Sequence, residues 1–147
     1  MKDVEIHLEE RPGALSAMAQ ALGAAGISIE GGGVWRVDGR AVAHFLFDAA
    51  APASETLCAH GFHVAAEHPV VSLRLDQDTP GQLGLLTGML GAAGINIAVQ
   101  YSDHHGHLIL VVDDPAGARA IADAWMQARD ARCLDGAGDG DRRQGTS

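Results

Sequence analysis

The chain has 147 residues, of which 47% are apolar and 20% are charged, and its formal net charge is −9. This composition is typical of a folded globular protein and excludes a disordered chain. Lys2 is the single lysine among ten basic residues, so the sequence lacks the basic patch that binds phosphates, and neither nucleic acid nor an anionic membrane is an expected partner. No apolar run approaches about 18 residues, which excludes a spanning helix.

Two further features concern the compartment. The first 13 residues carry acids and lack the apolar core of a secretory signal. Cys58 and Cys133 are far apart and form no C-x-x-C pair, so a disulfide framework is not expected. Together these features favour a reduced cytoplasm.

The first half of the chain predicts six elements. Apolar alternation indicates strands, helical periodicity and Pro-Gly indicate helix starts, and Asp38-Gly39 indicates a hairpin. Gly31, Gly32 and Gly33 interrupt a strand and predict either a bulge or the close approach of another backbone. In chain order, the elements are a strand at 4–8, a helix at 13–25, strands at 27–37 and 40–47, a helix at 53–60 and a strand at 62–68.

The second half repeats the first. Residues 12–29 and 80–97 are identical at 10 of 18 positions, with Gly13 and Gly81 lying 68 residues apart, so the chain contains two copies of one folding unit. The predicted elements are a strand at 71–75, a helix from 81, strands at 95–101 and 108–112, a helix from 114 and a short strand at 129–134, and a disordered tail is predicted at 135–147.

This order predicts an α+β protein. It contains two ferredoxin-like βαββαβ modules in tandem, at residues 1–68 and 69–134, each an antiparallel sheet with its helices on one face. A single eight-stranded sheet with swapped final strands remains an alternative. Modules of this size are marginally stable alone, which favours packing on each other or on a second chain.

The strand-to-helix junctions are the first candidate binding sites. Gly13 and Gly81 each open a helix, so free backbone N–H groups and the positive end of the helix face outward together. This geometry suits a carboxylate or phosphate without a basic side chain. A second candidate is the polar residue between two isoleucines, Ser28 or Asn96, because the asparagine amide both donates and accepts hydrogen bonds.

With these residues, the pattern R-P-G-x-L…A-G-I-S/N-I resembles the ACT domain family, small ferredoxin-like modules that sense amino acids. The resemblance covers both repeats and implies that the first loop and the start of the second strand contact a ligand, usually at an interface between two modules. The implied contacts are Glu10, Arg11, Pro12, Gly13, Ala14, Leu15 and Ser28 in the first copy, and Asp78, Thr79, Pro80, Gly81, Gln82, Leu83, Ile95 and Asn96 in the second.

One position departs from the family pattern. Amino-acid sensors of this family often carry asparagine where this chain has Glu10 and Asp78. A carboxylate accepts hydrogen bonds and repels a ligand carboxylate. Either the ligand is oriented differently, or these acids are solvated surface. The second copy offers more side-chain contacts and is the favoured site.

Metal binding and catalysis have little support in the sequence. His60, His63 and the cluster His104, His105 and His107 lack the convergent cysteines of structural zinc, so no metal and no cofactor is predicted. His44 is expected on a sheet face. No catalytic motif appears, and although Arg11 loosely suits an acylphosphatase-like reaction, the remaining loop residues of such an enzyme are missing.

The resulting prediction is a cytoplasmic, non-enzymatic sensor that binds a free amino acid between modules. The small size of the modules favours a homodimer. The alternative is a regulatory subunit that docks on a metabolic enzyme, with ligand binding secondary. The sequence names neither the amino acid nor the enzyme.

Overall fold

A computed structural model describes the backbone of residues 1–137 and the side chains of residues 1–132. Its elements, in chain order, are β1 Lys2–Leu8, α1 Ala14–Ala24, β2 Gly31–Val37, β3 Arg40–Phe47, α2 Ala53–Ala59, β4 His63–Pro69, β5 Val71–Leu73, α3 Gln82–Ala92, β6 Ile97–Ser102, β7 Leu108–Val112 and α4 Pro115–Ala137.

The first sheet has four antiparallel strands in the order β2-β3-β1-β4. Val4, Ile6 and Leu8 of β1 alternate with polar residues, and this alternation places them on one face, where α1 and α2 cover them. Met18 of α1 and Leu57 of α2 are fully buried in the same core. This strand order and one-sided helix layer confirm the ferredoxin-like prediction.

The second sheet has three antiparallel strands in the order β5-β7-β6, and α3 and α4 cover one face. The predicted final strand at residues 129–134 is wrong, because α4 continues through it to Ala137. From Ala122 onward the described helix has no β-branched residue and is rich in alanine and arginine, which favours helix over strand. The helix also includes the first three residues of the predicted tail, whereas residues 138–147 lie outside the described residues.

The two sheets contact each other through the faces that carry no helices. Leu46 of the first sheet packs with Tyr101 and Ile109 of the second, and a single antiparallel bridge joins Gly31 to Asp103. A Cβ added at Gly31 would lie 2.8 Å from the Cα of Asp103, so the predicted close backbone approach at the glycine run is confirmed. The single eight-stranded sheet is not formed by the described residues.

A buried polar network lies beside this contact and spans both halves. The fully buried Asp3 accepts a hydrogen bond from His44 Nδ1 at 2.8 Å through Oδ1. Its other oxygen accepts a hydrogen bond from the Tyr101 hydroxyl, also at 2.8 Å. Burial, followed by the charge of Asp3, raises the pKa of Tyr101, so the phenol stays protonated as a donor. The carboxylate of β1 therefore ties β3 to β6.

The pKa of His44 predicts that stability falls as pH rises above neutrality. Burial lowers this pKa, but hydrogen bonding and charge from Asp3, with the charge of Glu5, outweigh burial and raise it above 6.5. Because the folded state binds this proton more tightly, its stabilising effect is complete below pH 6.5 and is lost as pH rises through the raised pKa. Urea unfolding between about pH 6 and about pH 8 measures the slope.

Two variants make that measurement specific. His44→Asn is expected to remove the slope, whereas His105→Asn, at an exposed hairpin tip, is expected to retain it. The other groups with a resolved shift titrate outside this range, since the pKa values of Glu5, Glu67, Asp76 and Asp103 are lowered and that of Tyr101 is raised. An unchanged slope in His44→Asn would contradict the assignment.

Candidate ligand-binding site

Both strand-to-helix junctions have the backbone geometry that the repeat predicts. Gly13 and Gly81 are the N-cap residues of α1 and α3, with φ values of 86° and 88°. Glycine adopts this left-handed conformation without the steric cost that a side chain adds. Neither helix has a side-chain cap or an acidic residue in its first turn, so no protein carboxylate competes for the first backbone N–H groups.

The first junction forms a cavity of about 400 Å³ with an apolar floor and a charged rim. Arg11 pairs with Glu9 at 2.6 Å, and Glu10 pairs with Arg36 at 2.6 Å. Each of these two ion pairs is neutral overall. The lining residues are Leu8, Glu9, Glu10, Arg11, Pro12, Ala14, Leu15, Val34 and Ala41.

The second junction forms a cavity of about 490 Å³ with a different charge pattern. Thr79 and Gln82 line it together with Asp76, Arg129 and Arg132. Both arginines project from the last described turns of α4, in the segment that the sequence predicted as a strand. The cavity therefore joins the start of α3 to two guanidinium groups, an arrangement suited to a carboxylate.

Asp76 organises the loop that leads into this cavity. Its carboxylate accepts hydrogen bonds from the Thr79 hydroxyl at 2.8 Å and from the Asp78 N–H at 3.3 Å. These two bonds, with a smaller effect from Arg129 and Arg132, hold the pKa of Asp76 below its usual value. Asp76 thus remains ionised beside the arginines; both Asp76 and Asp78 are exposed.

Gln82 brings an unpaired acceptor to the same place. Its Oε1 atom is buried and has no hydrogen-bond partner among the described residues. A buried acceptor without a donor costs roughly 1–3 kcal/mol, so such atoms are uncommon in folded proteins. An ammonium group, which has only donors, would satisfy this oxygen once the Gln82 side chain rotates it toward the cavity, because the atom is closed to solvent in this structure.

The remaining predicted contacts lie apart from this cavity. Asn96 is exposed and follows the far end of α3, an 11-residue helix about 16 Å long, so it does not share a single-chain site with Gly81. Ser28 has the same relation to Gly13 across α1. Ile95 is 7% exposed and its side chain packs in the core of the second sheet. Pro80 and Leu83 are exposed and do not line the cavity.

Sequence reasoning missed Arg129 and Arg132, and the reason is local. Reading residues 129–134 as a strand would alternate the two arginines onto opposite faces. As a helix, the spacing of three residues places both on one face, toward the loop before α3. The signal that favoured the helix was the absence of β-branched residues from 122 to 137, together with the alanines at 122, 124, 128 and 131.

The described residues were compared with the geometry of a metal site and of a membrane-spanning helix. Among them, no three His, Cys, Asp or Glu side chains converge as a metal site would require. His107 is occupied by Asp103 at 2.9 Å and by Arg74 at 3.1 Å. Within residues 1–137, every helix is too short or too polar to cross a bilayer.

Comparison with known proteins identifies the fold. No family model matches the chain, and no curated protein matches it in sequence. Among solved structures, the ligand-free regulatory subunit of aspartate kinase from Thermus thermophilus matches with a TM-score of 0.64 and 19% identity, over 86% of this chain and 91% of that one. The chain has the fold of an aspartate kinase regulatory subunit.

Two further structures support this assignment. The regulatory subunit of aspartate kinase from Thermus flavus matches with a TM-score of 0.61 and 22% identity, over 86% of this chain and 91% of that subunit. A protein from Bacteroides thetaiotaomicron matches with a TM-score of 0.68 and 18% identity, over 84% of this chain and 86% of the other. These likenesses extend over nearly the whole regulatory-subunit fold and support the ACT-type fold that the paired motif predicted.

Proposed function

We propose that this protein is a non-enzymatic regulator of amino-acid metabolism that binds a free amino acid, with modules at residues 1–68 and 69–134. The observation that carries the proposal is the cavity at the second junction. It combines two guanidinium groups with a buried amide oxygen that has no donor. The likeness to aspartate kinase regulatory subunits supports a regulatory role for the same fold.

The groups in this cavity match the two charges of an amino acid. The α-carboxylate of the ligand binds Arg129, Arg132 and the first N–H groups of α3. The α-ammonium group donates to Gln82 Oε1 and is attracted by the ionised Asp76. Asp78, at the position that departs from the family pattern, is exposed and does not line this cavity, which supports the solvated-surface alternative for that acid.

A second surface favours assembly with another protein. Leu83, Leu85 and Met89 of α3 are 42%, 63% and 44% exposed, which is unusual for large apolar side chains grouped on one helix. Gly84 and Gly88 lie between them, and a Cβ at either position would meet nothing within 4 Å. This surface favours a homodimer in which Asn96 of one copy reaches a junction of the other, and the alternative occupant is a metabolic enzyme.

The regulator hypothesis implies binding in the cytoplasm, where free amino acids and the enzymes of their synthesis occur together. Binding would stabilise one arrangement of the two modules by its higher affinity for that arrangement. Light scattering on the purified chain measures the dimer. Co-purification of a stoichiometric enzyme from the native host would instead favour the regulatory-subunit alternative.

A thermal-shift screen against the twenty amino acids at millimolar concentration tests ligand binding. A ligand at about 100 times its dissociation constant adds roughly 2.7 kcal/mol to the stability of the folded state, which raises the melting temperature by several degrees. We expect one amino acid, or a few related ones, to produce this shift. A flat screen would contradict the sensor proposal and favour the docking alternative.

The site itself is tested with Arg132→Ala. Loss of a charged hydrogen bond to the carboxylate removes roughly 1.5–3 kcal/mol, so calorimetry should show about 10- to 100-fold weaker binding of the amino acid found in the screen. Arg119→Ala is the matched control, because Arg119 is exposed on the same helix about 20 Å away along its axis. Equal affinities in the two variants would place the ligand elsewhere.

A further inference from the structure

A groove opens between the two halves, on the face of the first sheet opposite the first-junction cavity, which Val34 and Ala41 of the same strands line. Trp35, Val37 and Val42 of the first sheet form one side, residues 98–100 of β6 form the other, and His44 lies at the inner end. The cavity measures about 320 Å³, which is within the range of small-molecule sites. None of the residues that line it is an acid.

The apolar wall of this groove is exposed to solvent. Trp35 is 43% exposed and Val37 is 50% exposed, in a chain with only 4% aromatic residues. In the register of β2 and β3, Trp35 faces Val42 and Gly33 faces His44, so these positions share one face of the sheet. An exposed tryptophan beside a cavity is characteristic of a binding surface, because the indole ring offers a large and rigid apolar face.

Gly33 positions the ring of Trp35 within this wall. A Cβ at Gly33 would lie 3.2 Å from the indole, so the ring packs over the backbone where a larger residue would displace it. The ring centroids of Trp35 and His44 are 6.2 Å apart. The flat apolar wall therefore ends at an imidazole.

The imidazole is held in one orientation. His44 is 8% exposed, and its Nδ1 donates to the buried Asp3, which is fixed in turn by Tyr101. Nε2 has no hydrogen-bond partner in the described part of the chain. The titratable groups around the ring are Asp3 and Glu5 of β1, His68 of β4 and Tyr101 of β6, and Asp3 and Glu5 favour its protonated form. Protonated His44 presents an Nε2–H donor to the groove.

We propose that this groove is a second binding site, for a small carboxylate with an aromatic or branched apolar body and no amino group. The apolar body packs on Trp35 and Val37, and the carboxylate accepts a hydrogen bond from His44 Nε2. An amino group is disfavoured because the groove supplies no acid to pair with it. The site is distinct from the cavity beside Gly81 and does not depend on ligand binding there.

NMR titration with 3-phenylpropionate tests this proposal on the intact protein. The chain contains two tryptophans, and Trp35→Phe assigns the indole N–H signal of Trp35 by its loss. We expect that signal to shift saturably as 3-phenylpropionate is added. We expect two related compounds to bind at least about tenfold more weakly than 3-phenylpropionate. These are 3-phenylpropan-1-ol, which lacks the charge, and phenylalanine, which adds the ammonium group.

Matched variants locate the probe. Trp35→Ala removes the exposed wall together with the indole signal, so binding in the variants is measured by calorimetry. We expect Trp35→Ala to weaken binding of 3-phenylpropionate about tenfold, whereas Val34→Ala should change it by less than about twofold. Val34 is the adjacent residue of β2, is 37% exposed and points to the opposite face, where it lines the first-junction cavity. A loss of affinity in Val34→Ala instead of Trp35→Ala would therefore place the probe at that junction. Both positions are at the surface, so both variants are expected to fold.

Three outcomes would overturn the proposal. A Trp35 signal that does not respond to the probe would exclude the site. An alcohol that binds as tightly as the acid would exclude recognition of the carboxylate by His44. A Trp35 signal that shifts with protein concentration, and that the probe does not reverse, would show that a second copy of the chain covers the groove.

Discussion

Replacing Asp3 with alanine is expected to lower the free energy of unfolding by about 3–5 kcal/mol. The carboxylate is fully buried and accepts from both His44 and Tyr101, so the variant leaves a buried imidazole and a buried phenol without their partner. Urea unfolding followed by circular dichroism measures the loss, with the slope of the transition checked for two-state behaviour.

Glu5→Ala is the matched control for this variant. Glu5 lies two residues away on the same face of β1, but its side chain is 26% exposed and its partners are His7 at 2.8 Å and His68 at 3.6 Å. It influences His44 through its charge and not through a hydrogen bond. An ion pair of this kind contributes about 1 kcal/mol or less. Similar losses in the two variants would show that the Asp3 network does not stabilise the contact between the halves.

Gly32→Ala is expected to cost roughly 3 kcal/mol or more. The backbone of Gly32 has a φ of 120°, and an added Cβ would fall on the carbonyl oxygen of His44 and 2.8 Å from the Cα of Phe45. Strain at such a conformation costs roughly 1–3 kcal/mol, and the overlap must also push β2 away from β3. Thermal and urea unfolding both report the change.

Gly26→Ala separates the two causes. Gly26 also has a positive φ, 70°, but a Cβ there would meet nothing within 4 Å, so only conformational strain of about 1–2 kcal/mol applies. We therefore expect Gly32→Ala to be clearly the more destabilised variant. Equal losses would mean that β2 accommodates the side chain by a shift without cost.

Local patterns predicted the fold well because each element carries its own signal. Alternation identified the first strands, and the glycines at residues 13 and 81 marked the helix starts that the structure has. The last strand was wrong because a short segment with few apolar residues has little periodicity to separate helix from strand. Its alanine and arginine content decided the outcome.

Local patterns predicted only some of the residues that line the candidate sites. The loop residues Thr79 and Gln82 follow from the motif, but Arg129 and Arg132 join them through the packing of α4, about 50 residues later in the chain. The position of His44 on a sheet face follows from alternation in β3. Its partnership with Asp3 and Tyr101 depends on how two sheets pack, which no local pattern encodes.

The bond between Asp3 and Tyr101 has a consequence for the order of folding during synthesis. Its partners are separated by 98 positions, so all four strands of the first sheet are synthesised before Tyr101. At about 5–20 residues per second, the roughly 60 residues between His44 and Tyr101 take about 3–12 s to make. During that interval the carboxylate of Asp3 has only His44 as a partner and the apolar face at Leu46 is open to water. A chaperone that covers this face early, and releases it once β6 and β7 have emerged, would protect an apolar surface that the first half does not cover by itself.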